Sequence, residues 1–275
     1  MTAYGCYTYI YPNKDQDEQV YHNPELSAER AADYLAEGFT ALMFDPAGPY
    51  TLQDPRQPRL ENIERSELFC KRLREAVGNQ ADLLFGTHSQ FTTSGAIRLG
   101  QHLKPYNPLW FEEPLPPEMP EEMAKVAQAV RIPIATGERL TTKWEFSRVL
   151  RTGAAIIIQM AIGRVGGILE AKKIASMAEA YYAQVAPHLY CGPIEGAANI
   201  HLSATLPNFL ILESIEQWGG FYGQILKTPI QWDAGYVLVP DTPGLGVELN
   251  EAVALANPYK GHELHLETTT AAVTA

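Results

Sequence analysis

The 275-residue sequence predicts an α/β fold and, within that class, a closed (β/α)8 barrel of the TIM type. Three observations carry this reading. Short β-branched or aromatic runs alternate with longer helical patterns, which favours a parallel sheet built from βα units. Eight such units follow one another at roughly 25 residues each, the number and size a barrel of this type needs. No Gly-x-Gly-x-x-Gly follows the first run, which weighs against the runner-up, a doubly wound open sheet.

The elements follow in order. Tyr4–Tyr11 reads as the first strand, and a helix spans Ser27–Glu37, with Gly38 where a left-handed C-cap is wanted. Phe39–Asp45 is the second strand; Asn62–Val77 is amphipathic, with Phe69, Leu73 and Val77 on one stripe. Asp82–His88 is the third strand, and its helix runs from about Ser94 to Leu103. Leu109–Glu112 is the fourth, followed by Met123, Val126, Ala127 and Val130 at helical spacing. Ile132–Thr136 is the fifth, and Thr142-x-x-Glu145 is a capping box opening the next helix. Ala155–Gln159 is the sixth, backed by a helix through Ala171–Tyr182. Gln184–His188 is the seventh, with a helix near Gly196–Thr205, and Phe209–Glu213 completes the eight. Residues 1–216 form the barrel in this reading, 217–265 a tail packed on it, and 266–275 a disordered end.

Composition narrows the function classes. Hydrophobic residues make up 46% and charged residues 19%, enough to bury a large core. The 21 Lys and Arg stand against 32 Asp and Glu, a net charge of −11, which argues against a nucleic-acid or anionic-membrane partner. Cys6, Cys70 and Cys191 are odd in number and lack Cys-x-x-Cys spacing. They exclude a disulfide scaffold and suit a reducing cytoplasm, the expected location. The opening MTAYGCYTYIYPNK shows no signal-peptide pattern, and the longest apolar stretches, such as Ala154–Ile158, are too short to span a bilayer.

A barrel of this type works at the C-terminal ends of its strands. The polar residues there are Asp45, His88, Glu112, Glu138, Gln159, His188 and Glu213. Glu112 in Trp-Phe-Glu-Glu-Pro and Glu138 in Thr-Gly-Glu end adjacent strands. Carboxylates so placed repel unless a cation lies between them, and a hard divalent ion is the economical choice. Each has a plainer reading: a strand-end Glu can be solvated or paired with an Arg, and His188 can be a satisfied core histidine. Glu113 faces the other side of its strand and reads as structural.

The ordered series WFEEP, ATGERL, IIIQMAIGRVGGILEAKKIA, VAPHLYCGPI, ILESIE and PGLGVELN resembles the enolase superfamily across nearly the whole chain. Its closest branch is the mandelate racemase/muconate lactonizing group, with sugar-acid dehydratases such as galactonate dehydratase. The resemblance implies an enolase C-terminal-like barrel that abstracts a proton beside a carboxylate, stabilises an enediolate with Mg²⁺ (Mn²⁺ or another divalent ion being alternatives) and expels a β-hydroxyl. It implies Glu112 and Glu138 as metal ligands, His188 as general base, and Glu213 as the acid that hydrogen-bonds the substrate carboxylate. Asp45, Gln159 and Arg139 are the implied substrate-binding residues.

The sequence departs from that pattern at the first ligand position, Gly86, at the place of the base-orienting Asp, Ala161, and at a usual Lys, Met43. His88, two residues past Gly86, stands open as third metal ligand or as general acid. The N-terminal capping domain is expected to be missing, since the first strand begins almost at Met1. The implied partner is a small sugar acid or lactone. A homo-oligomer is expected through surface exposed near Trp218, Phe221 and Tyr222. Two rivals stay open: a cycloisomerase or epimerase of sugar acids or lactones, and a non-catalytic, truncated barrel.

Overall fold

The structure, a computed structural model, describes residues 3–11, 18–46, 48 and 57–258. Eight strands run parallel in chain order: β1 (Ala3–Tyr9), β2 (Ala41–Phe44), β3 (Asp82–Gly86), β4 (Trp110–Glu112), β5 (Ile134–Thr136), β6 (Ile157–Ile158), β7 (Gln184–Val185) and β8 (Leu212–Ser214). β8 returns to β1 through Cys6↔Leu212, Tyr7↔Glu213 and Thr8↔Ser214. β7 meets the segment entering β8 at Val185↔Phe209, so the sheet closes into the expected barrel.

Seven long helices pack outside: α1 (Pro24–Ala36), α2 (Leu60–Val77), α3 (Thr93–Leu103), α4 (Pro120–Val130), α5 (Lys143–Thr152), α7 (Ile168–Ala180) and α8 (Pro193–Ser203). One turn of helix not foreseen in the sequence, α6 (Ile162–Val165), precedes α7. Local chemistry sets their ends. Asn23 accepts from the Glu25 and Leu26 amides and caps α1. Thr142 and Glu145 form the reciprocal box that opens α5. Gly38 follows α1 at φ +98°, and a Cβ there would strike the Ala234 backbone at 2.5 Å, so only glycine fits.

Strand alternation sorts the core into two layers. Leu42, Phe85, Phe111 and Ile158 face the helices, while Tyr7, Met43, Leu84, Trp110 and Ile157 fill the barrel interior. Tyr7 meets Trp110 edge-to-face at 5.4 Å, a dry floor beneath the mouth.

The third, sixth and seventh strands are shorter than expected, ending at Gly86, Ile158 and Val185. Past those points the chain leaves the ladder to line the mouth. His88 therefore does not lie on strand three; its φ of +47° shows that the alternation has already broken.

The tail adds α9 (Phe221–Gln224), an antiparallel hairpin of β9 (Trp232–Asp233) and β10 (Tyr236–Leu238), and α10 (Glu251–Ala256). β10 pairs with the first half of β1, Ala3↔Leu238 to Gly5↔Tyr236, and ties the tail to the barrel. Trp218 is not at the surface. Its ring lies over Gly196, where a Cβ would come within 2.4 Å, and meets Trp232 in a tilted contact at 5.4 Å; Phe221 and Tyr222 stay exposed. The disordered end expected for residues 266–275 lies outside the described residues. Among the described residues no helix is long and apolar enough to cross a membrane.

Candidate active site

The mouth of the barrel opens into a cavity of about 1120 Å³, lined among others by Tyr9, His88, Glu138, Arg139, His188 and Glu213. At its base stands Glu112, the last residue of β4, facing inward and 3% exposed. Its Oε2 accepts from Trp110 Nε1 at 2.9 Å and from Gln159 Nε2 at 2.6 Å. Burial, with Glu213 and Glu138 adding their charge, pushes its pKa up to about 8 in spite of the Gln159 bond.

His188 sits at the centre of the group. Its Nδ1 lies 2.8 Å from Glu213 Oε2 and 3.5 Å from Glu138 Oε2. Burial pulls the imidazole pKa down, but Glu213, Glu138 and Glu112 outweigh it and carry the value up to about 9. Glu213 is buried and also accepts from the Leu189 amide at 2.7 Å. Burial would raise its pKa; the His188 charge and these hydrogen bonds hold it below the ordinary value.

The structure thus gathers Glu112, Glu138, His188, Glu213 and Gln159 around one point of the barrel mouth. His88 and Asp45 form a separate pair on the cavity wall, Nδ1 to Oδ2 at 3.1 Å, and that bond above all lifts His88 to about 9. His88 does not join Glu112 and Glu138 as a third ligand. Among the described residues no three His, Cys, Asp or Glu side chains form a group able to hold a metal. The physical reason is the early end of β3, which lets the ring turn toward Asp45.

Arg139, expected to bind substrate, lines the cavity but is engaged within the protein. Its Nε lies 3.3 Å from Glu113 and 3.5 Å from Glu138, and its Nη2 donates to the His88 carbonyl at 3.1 Å. Glu113, read as structural, is buried behind the site and accepts from Ser89 and Thr136, each at 3.0 Å. The position of Ala161 presents no polar group, and Gln159 does not take its place beside His188, since its amide goes to Glu112.

Sequence reasoning missed Trp110 as a hydrogen-bond donor to Glu112, although the two-residue spacing on one strand puts both on the same face. It also missed Tyr9, Arg164 and Glu195 on the cavity wall. Tyr9 ends β1, Arg164 lies in the single turn of α6 and Glu195 in the first turn of α8, so none belongs to an apolar stripe that would mark it.

The departure at residue 86 has a steric counterpart. A Cβ on Gly86 would lie 2.7 Å from Met43 Cε and 3.5 Å from Tyr9 Oη. Met43, fully buried, fills the volume that a side chain at residue 86 would need.

Known proteins resemble this chain throughout its barrel. A family model described as enolase C-terminal domain-like matches residues 26–253. The D-gluconate/D-galactonate dehydratase of Picrophilus torridus is 34% identical over 242 residues, covering 87% of this chain and 60% of that protein. The D-xylonate dehydratase of Haloferax volcanii is 33% identical over 246 residues, 88% of this chain and 60% of that one. The chain therefore spans well under two thirds of the length of these relatives. A crystal structure of a mandelate racemase/muconate lactonizing enzyme from Sulfitobacter sp. superposes with a TM-score of 0.91 at 56% identity, covering 96% of this chain and 66% of that one. Fold, ordered motifs and these matches agree: the chain belongs to the enolase C-terminal domain-like family, within the enolase superfamily.

Proposed function

We propose that this barrel carries the catalytic centre of a divalent-metal-dependent sugar-acid dehydratase acting on an aldonate. The observation that supports it most is His188, held at the barrel mouth between Glu138 and Glu213 with Glu112 below. The named relatives act on gluconate, galactonate and xylonate, which suits a cavity large enough for a small polyhydroxy acid.

The donor set fits Mg²⁺ as a two-carboxylate site. Glu112 and Glu138 would hold the ion, with water completing the shell, as this cation commonly prefers; Mn²⁺ would fit the same donors. The donor set supports this, because the carboxylates of Glu112, Glu138 and Glu213 converge on the barrel mouth with His188 among them. When bound, the ion stabilises the charge that develops on the substrate carboxylate and offsets the glutamates that hold His188 protonated.

The chain's own residues supply the proton transfers. His188 Nε2 takes the proton from the substrate α-carbon, leaving the electron pair to form the carbon–carbon double bond as the β-hydroxyl departs. His88, kept protonated by Asp45, delivers a proton to that hydroxyl, which leaves as water. The enol then becomes a 2-keto-3-deoxy acid. Arg139 lines the mouth cavity and Asp45 a smaller one that shares His88, so both stand where substrate hydroxyls would lie, while the buried Gln159 acts through its bond to Glu112. Self-association belongs to the same reading, supported by the exposed rings of Phe221 and Tyr222 in the tail and of Tyr190 at the mouth. A cytoplasmic location belongs to the same reading, since the odd number and wide spacing of Cys6, Cys70 and Cys191 suit a reducing compartment.

Deuterium wash-in from D₂O, with product mass analysis, on D-gluconate, D-galactonate and D-xylonate with Mg²⁺ tests the reading. α-Exchange with loss of water is expected. Exchange with a product of equal mass identifies a cycloisomerase or epimerase instead. No exchange on any acid, with either metal, leaves a non-catalytic barrel.

A further inference from the structure

We propose that Glu213 is the positioning residue of His188, accepting a hydrogen bond from its Nδ1–H on the β8 side and leaving Nε2 as the atom that meets the substrate. The inference rests on the proposed function only for the identity of the substrate; the hydrogen bond itself stands on geometry.

An imidazole base works when one nitrogen is held and the other is free, since the held nitrogen fixes both tautomer and ring angle. Four residues around His188 come into question. Ala161 has no polar side chain. Gln159 donates its amide to Glu112 at 2.6 Å, and its buried Oε1 has no hydrogen-bond partner, so it is not turned onto the imidazole. Glu138 lies 3.5 Å from Nδ1, beyond a good hydrogen bond, and also faces Arg139. Glu213 lies at 2.8 Å.

Glu213 is itself immobile. The Leu189 amide donates to the same Oε2 at 2.7 Å, and Ser214 Oγ binds the Tyr7 carbonyl at 2.9 Å, locking β8 onto β1 beside it. The carboxylate is 2% exposed, so the bond to His188 is dry and little screened. The amide and the imidazole both meet one oxygen, Oε2, so that oxygen is committed to the ring even though Glu213 borders the cavity. The strand-eight carboxylate thus does the orienting work for which strand six has no group.

The experiment compares wild type with Glu213→Gln, Glu213→Asp, Ala161→Asp and the double variant Glu213→Gln/Ala161→Asp, each checked for folding by circular dichroism. In wild type a downfield Nδ1–H proton resonance is expected, lost in His188→Asn and in Glu213→Gln. Loss of an orienting carboxylate costs about 10⁴ in rate in the serine-protease triad. Glu213→Gln is accordingly expected to lower kcat for α-exchange at least about 100-fold, with KM within about twofold. Supplying a carboxylate from strand six in the double variant should recover about tenfold or more, whereas Ala161→Asp alone should change little because Nδ1 is already held. A resonance that survives Glu213→Gln, or a rise in KM with kcat unchanged, would overturn the proposal. If Glu213→Gln does not fold, Glu213→Asp decides: a shifted resonance and reduced kcat support the assignment, and an unchanged resonance overturns it. A wild type that shows the resonance but exchanges no aldonate would sink the dehydratase reading while leaving the Glu213–His188 assignment standing.

Discussion

Gly86 and Met43 are complementary: the Met43 methyl lies 2.7 Å from the place where a Cβ on Gly86 would sit. The two positions at which the sequence departs from the superfamily pattern on strands two and three are therefore one packing unit. Met43 pairs with Leu84 across β2 and β3 and is fully buried, so a side chain at residue 86 must push its terminal methyl aside. Gly86→Asp alone is expected to destabilise by about 1–3 kcal/mol, the usual cost of overpacking. Gly86→Asp/Met43→Ala should restore much of that stability and bind Mg²⁺ more tightly than wild type. Thermal melts and isothermal titration of the three proteins check both outcomes; a double variant with unchanged metal affinity would show that residue 86 does not reach the ion.

Metal binding by two carboxylates predicts a modest affinity that depends on each of them. Glu138→Gln is expected to weaken Mg²⁺ and Mn²⁺ binding about tenfold or more, a loss of about 1.4 kcal/mol or greater. Titration calorimetry decides the matter. Equal binding by wild type and variant, or by neither, would count against Glu112 and Glu138 as ligands.

His188→Asn keeps a polar side chain of similar reach but removes the titrating nitrogen. α-Proton exchange is expected to fall by about 10²–10⁴, the range a positioned general base supplies, and the melting midpoint to fall as well, since the buried Glu213 loses its partner. Exchange that persists at the wild-type rate would assign the base to another residue.

Stability of the metal-free protein should decline as pH rises through the neutral range. Glu112 is raised from 4.5 to about 8 in the folded state, so its contribution is fully present below 4.5 and is lost as pH climbs through 8. His188 is raised from 6.5 to about 9, so its contribution is present below 6.5 and lost as pH rises through 9. Glu213, held below 4.5, acts in the opposite sense and loses its contribution only as pH falls beneath that value. Melts from pH 5.5 to 9 without metal should show a falling midpoint, with a shallower slope in Glu112→Gln. A midpoint that rises across that interval would contradict the charge assignment.

Light scattering at micromolar concentration is expected to show an assembly larger than one chain, because Phe221 and Tyr222 in the tail and Tyr190 at the mouth leave apolar surface exposed. A monodisperse monomer would remove self-association from the proposed function.

The sequence by itself determined the barrel and the residues at its mouth. Period-2 runs broken by helical patterns reveal strands wherever one face must be buried, and Thr142-x-x-Glu145 or Gly38 mark helix ends through chemistry confined to a few neighbouring residues. Glu112, Glu138, His188 and Glu213 were legible for the same reason, since each lies in or within three residues of a strand marked by its own apolar run. Only the tertiary structure decided which of them touch. The Glu213–His188 bond, the turn of His88 onto Asp45, the Gln159–Glu112 bond and the burial of Trp218 against Gly196 all join residues more than twenty positions apart. Such contacts depend on strand register, on where each ladder stops and on the volume left by neighbours such as Met43, and none of these is a property of a local stretch of chain.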